Sequence, residues 1–277
     1  MKKLIINLAP TGMIPTKEIT PHIPIHPQEI IKDVLHCSSM GASMIHIHAR
    51  DSKGLPTYHK EIYAKIISGI REKRPDLIIV ASTSGRNFPE FKQRSDVLQL
   101  EGDLKPDMAS LTLSSLNFMQ SASVNSPDMI MQLAKEMKEK GIKPELEVFD
   151  MGMVNYAKYL IKKGLIDPPY YFNILLGNIA SAQSTLQEAG LILSSLPQNS
   201  IVSLTGLGAS QKEMNGLGVI FADGVRVGLE DNIWLSKEEN KLATNSNLVE
   251  RVIKIANSLN RPIASANEVR ELLGLDN

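Results

Sequence analysis

Met44-Ile45-His46-Ile47-His48-Ala49-Arg50-Asp51 alternates as a strand does, sending both imidazoles to one face and Ile45, Ile47 and Ala49 to the other. Short apolar, β-branched segments recur along the chain at 4–8, 44–48, 77–82, 108–113, 145–149, 171–176, 201–204 and 224–229, with helical patterns between them. Pro27 stands at a helix start and Gly41 just past its end, and Ser126-Pro127 opens a helix that stops at Gly141. Each strand is thereby expected to receive its crossover helix. A last long helix, 245–259, is followed by Arg261-Pro262 and a short helix, 266–273, expected to pack over the barrel wall. Eight such units in 277 residues predict an α/β fold closed as a (β/α)8 TIM barrel, which typically needs about 250 residues. An open doubly wound sheet would show a Gly-rich first turn that is not present. With no low-complexity linker, the predicted organisation is a single barrel domain over 1–277 with a short C-terminal helical extension.

The 30 basic residues balance 30 acidic ones, with 43% hydrophobic and 22% charged residues. No nucleic acid or membrane surface is implied as a partner. The apolar run after Met1-Lys2-Lys3 is too short for a signal-peptide core and no later segment reaches membrane-spanning length, so a cytoplasmic protein is expected. The single cysteine, Cys37, excludes an internal disulfide and reads as a buried structural thiol in an apolar helix.

In a barrel of this kind ligands belong at the C-terminal ends of the strands. Alternation turns Arg226, Gly228 and Glu230 inward against Val225, Val227 and Leu229, turns Glu145 and Glu147 inward against Leu146 and Val148, and places Ser110 with Thr112, and Ser82 at a strand end. Buried charges are costly unless paired or metal-bound. All six histidines lie at or before His59, so a further metal ligand beyond that point must be an oxygen donor, and Glu230 is the best placed. His46, His48 and Glu230 then make a two-His, one-carboxylate site compatible with Zn²⁺, Fe²⁺, Mn²⁺ or Co²⁺. His22, His26, His36 and His59 read as loop or helix-surface residues. Asp231 beside Arg226 fits a general base held ionised by a guanidinium, or alternatively a structural ion pair at the rim. A metal next to such a base suits proton abstraction α to a carbonyl, with hydrolysis by a metal-activated water left open.

Taken together, several blocks resemble the β-keto acid cleavage enzymes over nearly the whole chain: Ala9-Pro10-Thr11-Gly12, His46-Ile47-His48-Ala49-Arg50-Asp51, Ser82-Thr83-Ser84-Gly85, Met108-Ala109-Ser110-Leu111 with Leu116-Asn117-Phe118, Pro144-Glu145-Leu146-Glu147-Val148-Phe149, Met151-Gly152-Met153-Val154 and Gly228-Leu229-Glu230-Asp231-Asn232-Ile233. The resemblance implies one Zn²⁺ per subunit on His46, His48 and Glu230, and a base supplied by Asp231 with Arg226. It implies Glu147 as a further acidic residue of the catalytic set, and Ser82, Ser110, Thr112 and Gly85 around a small-molecule β-keto acid. Acetyl-CoA is the implied co-substrate, acetoacetate and a new acyl-CoA the products, and a homo-oligomer, a tetramer by family habit, the assembly. The subgroup acting on 3-keto-5-aminohexanoate carries a glutamate where this chain has Ile14, so an uncharged, aliphatic substrate tail is expected. Arg86 and Asn87 replace the small residues common after the Ser-Thr-x-Gly turn, which leaves a second substrate carboxylate open. Three other readings compete: a metal-dependent hydrolase with His-x-His on a barrel, a lyase of the hydroxymethylglutaryl-CoA type, and a non-catalytic keto-acid-binding barrel.

Overall fold

The computed structural model describes residues 2–275. Eight parallel strands close a barrel in sequence order: β1 (Ile5–Leu8), β2 (Met44–Ile47), β3 (Ile78–Ala81), β4 (Met108–Thr112), β5 (Lys143–Val148), β6 (Tyr170–Leu176), β7 (Ser200–Gly206) and β8 (Gly224–Val227). Closure is made by β1, which pairs Asn7 with Arg226 on one side and with Met44 on the other. All eight expected strands are present, with ends moved by one or two residues. Residues 1, 276 and 277 of the expected domain lie outside the described residues.

The helices are α1 (Pro27–Met40), α2 (Lys60–Arg71), α3 (Phe91–Arg94), α4 (Pro127–Glu139), α5 (Met151–Lys162), α6 (Leu186–Ser195), α7 (Gln211–Phe221), α8 (Asn245–Ser258) and α9 (Ala266–Leu273). Their starts are set by local chemistry. Ser126 Oγ accepts from Met129 N at the head of α4, and Asp150 Oδ1 does the same from Met153 N for α5. One crossover departs from the expectation: between β3 and β4 the chain makes only the four-residue α3 and two 3₁₀ turns, Asp96–Gln99 and Gly102–Leu104. Arg94 explains why this short piece suffices. Its buried guanidinium donates to Thr83 O at 2.8 Å and to Asn125 Oδ1 at 2.7 Å, tying the connection to the end of β3 and to the loop that leads into α4.

Alternation divides the core. Outward-facing residues such as Ile45, Ile47, Leu146, Val148, Val225 and Val227 pack against the helices, with Cys37 buried among them. Inside the barrel the lower layer is apolar: Ile5, Met44, Ile78, Met108 and Ile201, all near strand starts, cluster with Val269 and Leu273 of α9. The last helix therefore closes the N-terminal opening of the barrel rather than lying on its wall, because its two buried apolar side chains meet the strand starts there. Burying each contributes about 1.5–3 kcal/mol. Arg270 fastens α9 by donating to Asp107 Oδ1 at 2.8 Å, and the chain before it pairs with β1 through Leu4 N to Pro262 O and Ala264 N to Leu4 O.

Candidate active site

Above the apolar layer the barrel interior turns polar. Asn7, Glu145, Tyr171, Asn173 and Ser203 are fully buried at mid-height. Glu145 Oε1 accepts from Asn7 Nδ2 at 2.8 Å and from Asn173 Nδ2 at 3.2 Å, while Tyr171 donates to Ser203 Oγ at 2.7 Å. The remaining oxygen, Oε2, faces His46 Nδ1 at 2.6 Å. Burial pushes the Glu145 carboxyl up, but His46 and Arg226 outweigh it and hold its pKa below the ordinary value. A carboxylate at this distance accepts from a protonated Nδ1, and the ring turns its Nε2 up the barrel, where a metal could replace any proton it carries.

That nitrogen stands 3.3 Å from His48 Nε2, which in turn is 3.1 Å from Glu230 Oε1. Two donors about 2.0–2.1 Å from one tetrahedral zinc are separated by roughly 3.3–3.4 Å. The three side chains therefore present their donor atoms with the spacing of ligands around a common cation, and all lie within 4.8 Å of one another. Glu230 Oε2 is buried with no hydrogen-bond partner, an acceptor left over for a cation or a bound molecule. The donor set of two imidazoles and a carboxylate fits a divalent transition metal or zinc.

Arg226, 1% exposed, organises the acidic side. Its Nε and Nη2 donate to Asp231 Oδ2 and Oδ1 at 2.7 and 3.1 Å, Nη2 also lies 2.8 Å from Glu230 Oε1, and Nη1 lies 3.6 Å from Glu147 Oε1. Burial works against its charge, yet Asp231 and Glu230 reverse this and raise the guanidinium's pKa well above its ordinary value. Burial likewise dominates at Asp231, raising its pKa against the pull of Arg226, with Glu230 adding to the rise. At Glu230 burial is outweighed by His48, Arg226 and His46, so the carboxyl stays well below the usual range.

Both Glu230 and Asp231 face the centre, which strict alternation forbids for neighbours. The strand ends at Val227, and Gly228, at φ +150°, turns the chain across the barrel mouth. A Cβ there would lie 2.1 Å from Ala9 O, so only glycine lets this turn pack on β1. On the facing side Gly12, φ +65°, leaves room for the Glu230 side chain, which a Cβ would meet at 2.6 Å.

A cavity of about 260 Å³ opens over these groups. His48, Ser82, Thr112, Glu147, Arg226, Glu230 and Asp231 form its polar floor, with Ile14 in the wall. Thr112 Oγ1 donates to Glu147 Oε2 at 2.6 Å. Two expected residues sit elsewhere. Ser110 lies one layer lower, its Oγ accepting from Thr83 N at 3.1 Å, and Gly85 faces Arg94, whose Nη1 stands 2.6 Å from where a Cβ would be. The other four histidines are exposed, as expected.

The sequence patterns include Arg50 and Phe118 but point to no role for either. Arg50, 2% exposed, donates to Gly12 O at 2.8 Å and Pro15 O at 2.8 Å, fixing the loop that carries Met13 and Ile14 over the cavity. Its signal was available: a charged residue in phase with His46 and His48 on the inward face. Phe118, reached through the Leu116–Asn117 hairpin strand, becomes part of the site only through folding at a distance.

The fold and the site define a (β/α)8 barrel with a two-His, one-carboxylate donor set at its C-terminal mouth. The chain matches the beta-keto acid cleavage enzyme model over residues 3–275, and it belongs to that family. It is 38% identical over 278 residues to the 3-keto-5-aminohexanoate cleavage enzyme of Fusobacterium nucleatum subsp. nucleatum, covering 99% of each chain. It is 32% identical over 275 residues to the 3-oxoadipate:acetyl-CoA acetyltransferase of Cupriavidus necator, covering 98% of this chain and 94% of the relative. A solved complex of ObcA with oxaloacetate shares the fold, with TM-score 0.79, 20% identity, and coverage of 93% of this chain and 68% of that one. Among the described residues no helix is long and apolar enough to cross a membrane.

Proposed function

We propose that this protein converts a β-keto acid and acetyl-CoA into acetoacetate and a new acyl-CoA, with a divalent metal, zinc in the first instance, held by His46, His48 and Glu230. The observation that carries this reading is the meeting of those three donors with the Arg226–Asp231 pair at one cavity floor. When bound, such a cation polarises a carbonyl oxygen and so acidifies the neighbouring carbon.

The residues divide the remaining work. Asp231 takes the proton from C2 of the keto acid; Arg226, by its two bonds to that carboxylate, fixes the direction of attack. The carbanion attacks the acetyl thioester carbon and expels the coenzyme as thiolate. The thiolate then adds to the former C3 carbonyl, the C2–C3 bond breaks, and the proton held on Asp231 returns to the departing acetoacetate carbon. The buried Arg226 charge offsets the negative charge that builds up at each addition, in a site sheltered from water. Ser82, 7% exposed in the cavity floor, and Glu147, braced by Thr112, are the groups we assign to holding the keto acid. Ile14 supplies no counter-charge for a 5-ammonium, so the amino substrate of the Fusobacterium relative is disfavoured here.

The test is a panel of β-keto acids with acetyl-CoA and added Zn²⁺, scored by acetoacetate and acyl-CoA formation. Acetoacetate is expected only when both substrates are present. Breakdown of a keto acid with metal and water alone would instead mark a hydrolase.

A further inference from the structure

Arg86 and Arg226 both line the cavity, but only Arg226 is paired. Among the described residues no carboxylate oxygen forms an ion pair with Arg86, and its Nε is buried without a hydrogen-bond partner. The guanidinium carbon lies 3.6 Å from the centroid of Phe118, so the ring holds its plane and leaves the donor edges free. Burial weakens its hold on the proton, opposed by the fields of Glu230 and Glu147. Arginine nonetheless stays protonated in proteins, so a half-desolvated cation faces the cavity without a counter-ion.

Asp231 and Glu230 Oε1 take the donors of Arg226, Glu147 is bonded by Thr112, and the open Glu230 Oε2 belongs to the cluster of candidate metal ligands, so none of them pairs with Arg86. The missing partner must therefore come with the ligand. A volume of about 260 Å³ is below the usual drug-sized range of about 300–1,000 Å³; it suits a small keto acid and not the nucleotide of coenzyme A. Leu116, Phe118, Phe149 and Leu175 give the same cavity an apolar wall suited to a short methylene chain.

We propose that Arg86 is the receptor for a second carboxylate at the far end of the keto acid, making the preferred substrate a β-keto dicarboxylate. The inference rests on the β-keto acid reaction proposed above, and it replaces the expected uncharged tail with an anionic one. The planar guanidinium offers two parallel N–H donors to a carboxylate, a geometry that a neutral tail leaves unused.

Steady-state kinetics of the metal-loaded protein with 3-oxoadipate, 3-oxohexanoate and 3-keto-5-aminohexanoate, at saturating acetyl-CoA, test this. The dicarboxylate is expected to exceed the neutral acid in kcat/KM by about tenfold or more, carried by KM. In Arg86→Gln that ratio is expected to fall to about one, and in Arg86→Lys, which keeps charge but not the fork, to lie between. Equal use of the neutral acid, preference for the amino acid, or a ratio that survives Arg86→Gln would each overturn the proposal. So would a rise in the KM of acetyl-CoA in place of that of the keto acid, which would assign Arg86 to the coenzyme. Calorimetric binding of adipate against hexanoate to the wild-type protein, without acetyl-CoA, reads the same selectivity independently of turnover. Tighter adipate binding supports the anion receptor even if no keto acid reacts; equal binding removes it.

Discussion

His46 turns its Nδ1 to Glu145 Oε2 at 2.6 Å, and the same carboxylate is held from its other oxygen by Asn7 and Asn173. The imidazole is thus fixed in direction from below, before anything binds above it. Such an outer partner typically changes metal affinity by about 10–100-fold when altered. Glu145→Gln is expected to weaken zinc binding by about that factor, measured by competition with a chromophoric chelator. Wild-type affinity in the variant would show that the Glu145–His46 bond does not support the metal.

Asp231 and Glu230 are neighbours with separate assignments, and substitution separates them. Asp231→Asn keeps a side chain of the same shape beside Arg226, so metal content is expected to stay near one per chain while kcat falls by about 10²–10⁴-fold. Glu230→Gln removes a charged ligand and is expected to lose metal first. Elemental analysis alongside acetoacetate formation distinguishes the two. Full turnover in Asp231→Asn would remove that residue from the base role.

Gly228 is the point at which the last strand becomes a turn, against the carbonyl of Ala9. Gly228→Ala forces either a strained positive φ to persist with a side chain or the turn to move, at about 1–3 kcal/mol. Since Glu230 follows two residues later, metal content is expected to fall together with thermal stability. A stable variant with full metal content would mean that the turn relaxes without carrying Glu230 along.

Glu29 gives a pH dependence away from the site. Burial pushes its carboxyl up, but bonds from Ile25 N and His26 N and the ion pair with Lys17 outweigh it and hold the pKa at about 2, against 4.5. The folded pKa lies below the unfolded one, so the stabilisation is complete above about 4.5 and is lost as pH falls towards about 2. After allowance for its solvent exposure, the capping contribution is about 0.5–1 kcal/mol. Urea unfolding of wild type and Glu29→Gln should differ by about that much at pH 6, with the gap narrowing below pH 4.5 and closing towards pH 2. A gap independent of pH would contradict the assignment.

The strands were legible because each is short, apolar and β-branched with a regular period, and the same alternation put His46, His48, Glu147 and Arg226 on the inner face. It failed at Asp231, where a glycine at positive φ broke the period; it turned Ser110 inward but carries no information on height, and that residue lies one layer below the cavity. The destination of α9 was hidden for another reason. A short amphipathic helix buries its apolar face against whatever opening remains, and only the closed barrel shows that Val269 and Leu273 meet Ile5 and Met44. Arg86 stood out in the sequence as unusual, but its lack of a counter-ion depends on which carboxylates the fold brings near and what they already hold.

The seal at the foot of the barrel also bears on how the protein is made. β1 is synthesised well before its partner β8 and the segment carrying Pro262, Ala264 and α9. Until β8 has been made, the β1 edge that it covers in the folded protein has no barrel partner, and an open, apolar strand edge is prone to pairing with other chains. Closure of the barrel therefore waits for β8, and the interval of exposure lengthens with every pause in translation between the two strands.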